Sequence, residues 1–401
     1  MAALGCTSSE EASETTSNAL AGNESVDTGQ GVSCDAPEDG GLPLEPYAEL
    51  RSQGVDRYLG RFEPASSVPA SGGGIAHAFD SSDGGPVCME GGTFYAMTKD
   101  RGSDDLVIFL QGGGLCYSEL CIAIASGGPH FVDIDILSED LDTNPTAGFN
   151  QVYVPYCDGS LFGGDADMDD DGDGVIDRRQ RGLQNISAAV GVAHNEFPNP
   201  RRIVLAGSSG GGYGTIIATM LVRWTWPDAP IYVVNDSGVG LGLAGDSSFI
   251  EGIMEEFNAG NLIPTSAHSI IDDGHLTGLI DWQLGQDSQL KIAAISHLTD
   301  YVISQIYLNV SYAAFEDALR DETDELQSAW PGRYEYFLPH GSQHTALLGD
   351  ASGFVDPDDP YAILVGAFMG SMADTEVDDL RLADWLHQFI DDDPEWGSHS
   401  D

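Results

Sequence analysis

Short apolar runs recur along the chain, each followed by a glycine or polar loop and then by a stretch with helical spacing. Leu106 to Leu110, LVIFL, shows no polar alternation, so it predicts a strand buried on both faces. Thr93 to Met97, Val152 to Pro155, Ile203 to Ala206, Ile231 to Asn235, Leu290 to Ile295 and Arg333 to Leu338 predict further strands. Leu183 to Glu196, Tyr213 to Arg223, Ser247 to Asn258 and Tyr312 to Trp330 space their apolar residues as helices do, and Val377 to Ile390 predicts a closing amphipathic helix. Tyr47 to Gly60 predicts a short helix. Ser66 to Gly85, rich in Ser, Gly and Pro, predicts a loop. Strands alternating with helices imply an α/β fold with a mostly parallel central sheet covered on both faces.

One junction in this pattern carries chemistry. Ile203 to Thr219 reads IVLAGSSGGGYGTIIAT, a strand, a glycine-rich turn and a helix. Gly207-Ser208-Ser209-Gly210-Gly211 is a G-x-S-x-G pentad in that context, which resembles the nucleophile elbow of α/β-hydrolases. A serine in so strained a turn needs neighbours with almost no side chain. Its hydroxyl then stands above the sheet, and the first N–H groups of the helix face a developing oxyanion. The competing reading is a glycine-rich turn that binds a phosphate or nothing. Ser209 is the candidate nucleophile. Gln111 to Gly114, directly after the Leu106 strand, resembles the glycine loop that completes an oxyanion hole, so Gly113, Gly114 and Gly210 are candidate donors.

A serine needs a base and an orienting acid, which in this fold follow it along the chain. Asp300 lies after the strand ending near Ile295, and His344 after the strand ending near Leu338. His340 is the rival base. Asp236 and Asp273 are rival acids, with Asp236 preferred as a wall of the substrate pocket.

Composition narrows the partners. The 401 residues are 41% hydrophobic, enough for a large core, and carry a formal net charge of −50. Such a surface repels nucleic acid and anionic lipid and suits calcium-containing or salty surroundings. No apolar run is long enough to span a bilayer. Residues 1–45 predict a disordered acidic tether in which Ala3-Leu4-Gly5-Cys6 resembles the end of a bacterial lipoprotein signal, with Cys6 as the lipidated residue. Residues 46–391 are expected to form a single catalytic domain, and 392–401 a flexible acidic tail. Cys88, Cys116, Cys121 and Cys157 fall inside that domain; an even number fits disulfides and an oxidising compartment, with a metal site as the alternative.

Longer segments then resemble one family. LQGGGLCYSELC, CMEGGTFYAM, VYVPYCDGSLFGGD, RGLQNISAAV before GSSGGGYG, NDSG, LTDYVISQIYLN and GSQHTAL follow in the order of the pectin acetylesterase and Notum carboxylesterase family. The resemblance puts Asp300 in the role of catalytic acid and selects His344 as the base. It also implies Cys88–Cys157 and Cys116–Cys121 pairs. Leu115 stands where the family usually has tryptophan, which alters a wall of the acyl pocket. The implied activity is that of a serine carboxylic-ester hydrolase, secreted or anchored at the cell surface or in the periplasm. It would deacylate, most simply deacetylate, an acetylated polysaccharide or another ester, as a monomer and without a catalytic cofactor. A general carboxylesterase or polyester depolymerase, and a non-catalytic calcium-dependent surface-binding protein on the same scaffold, are the alternatives.

The insertion at 165–180 contains DADMDDDGDGVID. Asp169, Asp171, Asp173 and Asp177 have the spacing of calcium-loop ligands, with Gly174 at the sharp turn. Gln180 stands where an EF-hand has its bidentate glutamate, so a structural calcium loop of another type is expected, against a plain solvated acidic run.

Overall fold

A computed structural model describes residues 45–118, 120–132, 134–139, 144–349 and 369–401. The expected tether at 1–45 and Cys6 lie outside these residues, except for Glu45. Within them, strand formation follows the apolar runs. The strands are β1 (Ser66–Pro69), β2 (Ile75–Ala78), β3 (Tyr95–Lys99), β4 (Asp105–Leu110), β5 (Gly114–Tyr117), β6 (Leu120–Ala123), β7 (Asn150–Val154), β8 (Ala166–Met168), β9 (Arg178–Gln180), β10 (Arg202–Ser208), β11 (Ile231–Asp236), β12 (Leu290–Ile295), β13 (Tyr334–Leu338), β14 (Glu376–Val377), β15 (Leu380–Arg381) and β16 (His399–Ser400). The principal helices are α1 (Ala48–Ser52), α2 (Gly182–Glu196), α3 (Gly210–Thr225), α4 (Ser248–Glu256), α5 (Thr277–Gln286), α6 (Tyr312–Ala329) and α7 (Leu382–Ile390).

Ten strands form one sheet in the order β1-β2-β3-β7-β4-β10-β11-β12-β13-β16. From β7 to β16 every neighbour is parallel, while β1, β2 and β3 add an antiparallel edge. This is the α/β-hydrolase-like fold expected from the strand–helix alternation. Successive side chains of a strand point to opposite faces. Ile203 and Leu205 of β10 accordingly join one buried cluster with α2 and α3, and Val204 and Ala206 join a second with α7. A strand covered on both sides has no polar face to show, hence its unbroken apolar sequence.

Three expectations differ from the structure. Ser66 to Gly85 is not all loop: β1 and β2 pair across a turn in which Gly72, Gly73 and Gly74 all take positive φ. The loop composition marked the turn and masked the short edge strands. Residues 392–401 are not a loose tail. β16 pairs with β13, and Arg320 donates to the Ser400 hydroxyl and the Asp401 carbonyl. The helix expected from Val377 begins at Leu382, after the β14–β15 hairpin.

Candidate active site

The carboxyl ends of the parallel strands gather the candidate residues. Ser209 follows β10 at φ 57, ψ −122, a strained backbone for a residue with a Cβ. The glycines beside it are forced by close approach. A Cβ on Gly207 would run into the Gly211 carbonyl, and one on Gly211 into the Leu110 carbonyl. The Ser209 N–H donates to the Asp236 carbonyl at 2.8 Å, which holds the turn against β11.

His344, in the loop after β13, brings its Nε2 within 2.7 Å of the Ser209 Oγ. Its Nδ1 lies 2.8 Å from the Asp300 Oδ2, in the loop after β12. Asp300 is fully buried, and its other oxygen accepts the Ile303 N–H at 3.0 Å. The rivals stand apart. His340 is exposed, with its backbone N–H bonded to Asp401, and Asp273 is exposed and caps the His275 N–H. Serine, imidazole and carboxylate thus form one hydrogen-bonded chain, the arrangement that lets a base remove the hydroxyl proton while the acid fixes its tautomer.

The glycine loop lies against this serine. A Cβ on Gly112 would sit 2.8 Å from the Ser209 Cβ, and one on Gly210 would sit 3.6 Å from the Gly113 nitrogen. Gly114, at φ +90, directs its carbonyl to the Tyr156 hydroxyl, which donates at 2.9 Å and accepts the Leu161 N–H at 2.9 Å. Tyr156 therefore ties the loop to the segment after Cys157. Sequence reasoning missed it, although it adjoins the singled-out Cys157.

Beside Ser209 a pocket opens between Leu115, Leu161 and Tyr213 on one side and α4 and α5 on the other. Phe249, Ile253, Met254, Leu276 and Leu279 extend it away from the serine. Ser160 and Ser209 apart, every lining residue is glycine, alanine, aliphatic, methionine or aromatic. Leu115 lines this pocket. Asp236, expected as a wall, does not. It is fully buried, and its carboxylate accepts the Ser208 hydroxyl at 2.7 Å and the N–H groups of Ala346 and Leu347. An acid at the end of a central strand points into whichever donors the crossing loop supplies, and those are the residues just after His344.

The disulfides Cys88–Cys157 and Cys116–Cys121 are both present. The second clips the β5–β6 hairpin that carries Gly114 and Leu115. The acidic insertion rises from the β8–β9 hairpin, whose Gln180 donates to the Cys116 carbonyl at 2.6 Å. At its tip Asp169, Asp171 and Asp177 each bring one carboxylate oxygen within 4.8 Å of the others. Asp173 is turned to the Val175 N–H and is not in that group. Among the described residues, no helix is long and apolar enough to cross a membrane.

Burial shapes the titration of Asp158, which is enclosed beneath the Cys157 segment and accepts the Ser160 N–H and hydroxyl. Loss of water pushes its carboxyl from 3.8 up to about 6, while the Ser160 bonds pull it down. The unfolded chain titrates this group near 3.9, so between pH about 4 and 6 the folded protein holds the extra proton. The penalty for burying the anion is full above pH 6 and disappears as pH falls towards 4. Against Asp158→Asn, wild-type protein should therefore gain about 2 kcal/mol between pH 7 and pH 4, most of what a pKa difference of about 2 supplies at about 1.4 kcal/mol each. Denaturant melts of both proteins across that range check the sign; a constant difference would contradict it.

Comparison with known proteins reaches part of this site. Residues 76–245 match the family profile described as Pectinacetylesterase. A 172-residue stretch is 28% identical to pectin acetylesterase 4 of Arabidopsis thaliana, covering 38% of this chain and 41% of that protein. A 171-residue stretch is 31% identical to palmitoleoyl-protein carboxylesterase notum2 of Xenopus laevis, covering 38% of this chain and 34% of that one. The matched stretches span less than half the length of either relative. The family match includes the glycine loop and Ser209, whereas Asp300 and His344 lie beyond it. On an α/β-hydrolase-like sheet, the chain thus resembles the pectin acetylesterase and Notum carboxylesterase family through residues 76–245.

Proposed function

We propose that the protein is a serine carboxylic-ester hydrolase acting through Ser209, His344 and Asp300. The observation that carries this reading is the continuous Ser209–His344–Asp300 hydrogen-bond chain at the ends of β10, β12 and β13. In the reaction, His344 takes the Ser209 proton as Oγ attacks the ester carbonyl. The N–H groups of Gly113, Gly114 and Gly210 receive the oxyanion. His344 then protonates the leaving alcohol, and water, deprotonated by the same imidazole, releases the acid. A serine-directed fluorophosphonate tests this: mass spectrometry should find the adduct on Ser209. No adduct and no ester turnover in folded protein would remove the reading.

The pocket supports an apolar acyl chain longer than the acetyl group that the sequence suggested. An acetyl methyl needs a few walls, whereas this pocket is lined by side chains from α3, α4, α5 and the segment after Asp300. The relatives' names span both outcomes, one a pectin acetylesterase and the other a palmitoleoyl-protein carboxylesterase. The charge of −50 disfavours an anionic leaving group, so a neutral alcohol, whether on a glycan or elsewhere, is the expected partner. The two disulfides fit an extracellular or otherwise oxidising location.

The Asp169–Asp171–Asp177 group is read as a structural calcium site, because hard oxygen donors converge there on a sharply turning loop. Calcium should raise the melting temperature, and Asp169→Asn should abolish that rise. An equal melting temperature in calcium and in chelator would leave a plain acidic loop.

A further inference from the structure

Asp300 fixes the tautomer of His344, but its bond to the ring does not fix the backbone that carries the ring. That backbone is held from another strand. β10 and β11 run parallel with Ser208 opposite Asp236, so the end of β11 lies beside the residue preceding the nucleophile. From there Asp236 reaches two loops. Its Oδ2 accepts the Ser208 hydroxyl at 2.7 Å, the Ala346 N–H at 2.9 Å and the Leu347 N–H at 3.1 Å. Its carbonyl accepts the Ser209 N–H at 2.8 Å. The next residue, Ser237, sits at φ 56 and offers its hydroxyl oxygen to the Thr345 N–H at 2.9 Å. Three consecutive N–H groups directly after His344 therefore end on two consecutive side chains, one of which also grips the residue before Ser209.

We propose that Asp236, assisted by Ser237, is a positioning residue that clamps the base-bearing loop to the nucleophile strand and so sets the Ser209–His344 distance. The inference rests on the serine-hydrolase reading above. A carboxylate suits the task because one oxygen serves three donors, which a neutral side chain does less well. The arrangement is otherwise expensive. Asp236 is wholly buried, with no lysine or arginine bonded to it among the described residues, and loss of water pushes its carboxyl up to about 6. Packing alone would be met by an apolar residue at this strand end. The carboxyl is explained by the donors it collects, and those on its Oδ2 all lie within three residues of Ser209 or His344.

Asp236 does not line the acyl pocket. Its loss should therefore slow chemistry without weakening substrate binding. A displacement of about 1 Å in such a pair lowers rate about 100-fold, so Asp236→Ala should lower kcat by about that factor with KM within about threefold of wild type. Asp236→Asn keeps one acceptor oxygen and should regain at least about tenfold of the loss. A purely structural role would lower the melting temperature and leave kcat of the folded fraction unchanged, which overturns the proposal. Should Asp236→Ala not fold, Ser237→Ala decides, since it frees the Thr345 N–H and besides that removes only the long 3.4 Å bond from the Ser237 hydroxyl to the Asp236 Oδ1: about tenfold lower kcat at constant KM is expected, and an unchanged kcat overturns the clamp. A readout without turnover separates this from failure of the hydrolase reading. The imidazole N–H between His344 and Asp300 should give a far-downfield proton resonance in wild type that broadens or shifts in Asp236→Asn. If no ester is cleaved and the resonance still responds, the clamp stands and the hydrolase reading falls. If the resonance is the same in both proteins, the clamp falls.

Discussion

Ser209→Ala should lower ester turnover by at least about 10⁴-fold while the protein keeps its fold. The variant removes one oxygen atom from a side chain whose backbone already sits at φ 57, so the elbow has no new strain to absorb. His344→Ala should fall by a similar factor, because a serine without its base is a weak nucleophile. The double variant should be hardly worse than either single one. Groups acting on one proton fail together, and their losses do not add. Kinetics on a p-nitrophenyl ester, with circular dichroism to verify folding, measures all three. Additive losses would mean that Ser209 and His344 do not share a step, and full activity in Ser209→Ala would place the nucleophile elsewhere.

Acyl length should change specificity almost as strongly. Each CH₂ moved from water into an apolar pocket contributes about 0.8 kcal/mol, roughly fourfold in kcat/KM when fully realised. From acetate to octanoate, kcat/KM should therefore rise at least about 100-fold, even with incomplete burial. Met254→Trp should reverse much of this. Met254 is partly buried on α4 and lines the pocket, so an indole there shortens the space without touching the triad. Octanoate turnover should drop by about 100-fold while acetate stays within about threefold. If acetate is the best substrate and the tryptophan changes nothing, the pocket is not the acyl site.

The candidate catalytic residues were more legible in the sequence than the pocket, for a physical reason. The elbow, the glycine loop and the loops after β12 and β13 are local: each is a few residues whose types are dictated by turn geometry at a strand end. Ser209, Asp300 and His344 became candidates from such positions because a parallel sheet brings its carboxyl ends together, while the choice over His340, Asp236 and Asp273 came from the resemblance of the surrounding segments to one family. The pocket has no such signature. Leu115 was marked only by the resemblance, and Tyr213, Met254 and Leu279 are ordinary helix hydrophobics that meet it only after folding. Asp236 was misassigned for the same reason. Its place at a strand end was visible, but the donors it faces come from residues 346 and 347, more than a hundred positions away. The short pairs β1–β2 and β13–β16 were missed because they are defined by their partners, with too few residues for a period-2 pattern.

The pocket's far walls come from one excursion, α4 and α5, which leaves the sheet after β11 and returns at β12. The proposed triad residues Ser209, Asp300 and His344 and the glycine loop lie outside it. The reacting groups and the pocket's far walls therefore sit on separate stretches of chain. A combinatorial library confined to residues 248–263 could retune which esters are accepted while the reacting atoms keep their spacing, and it would spare Gly207 and Gly211, where any side chain collides with backbone.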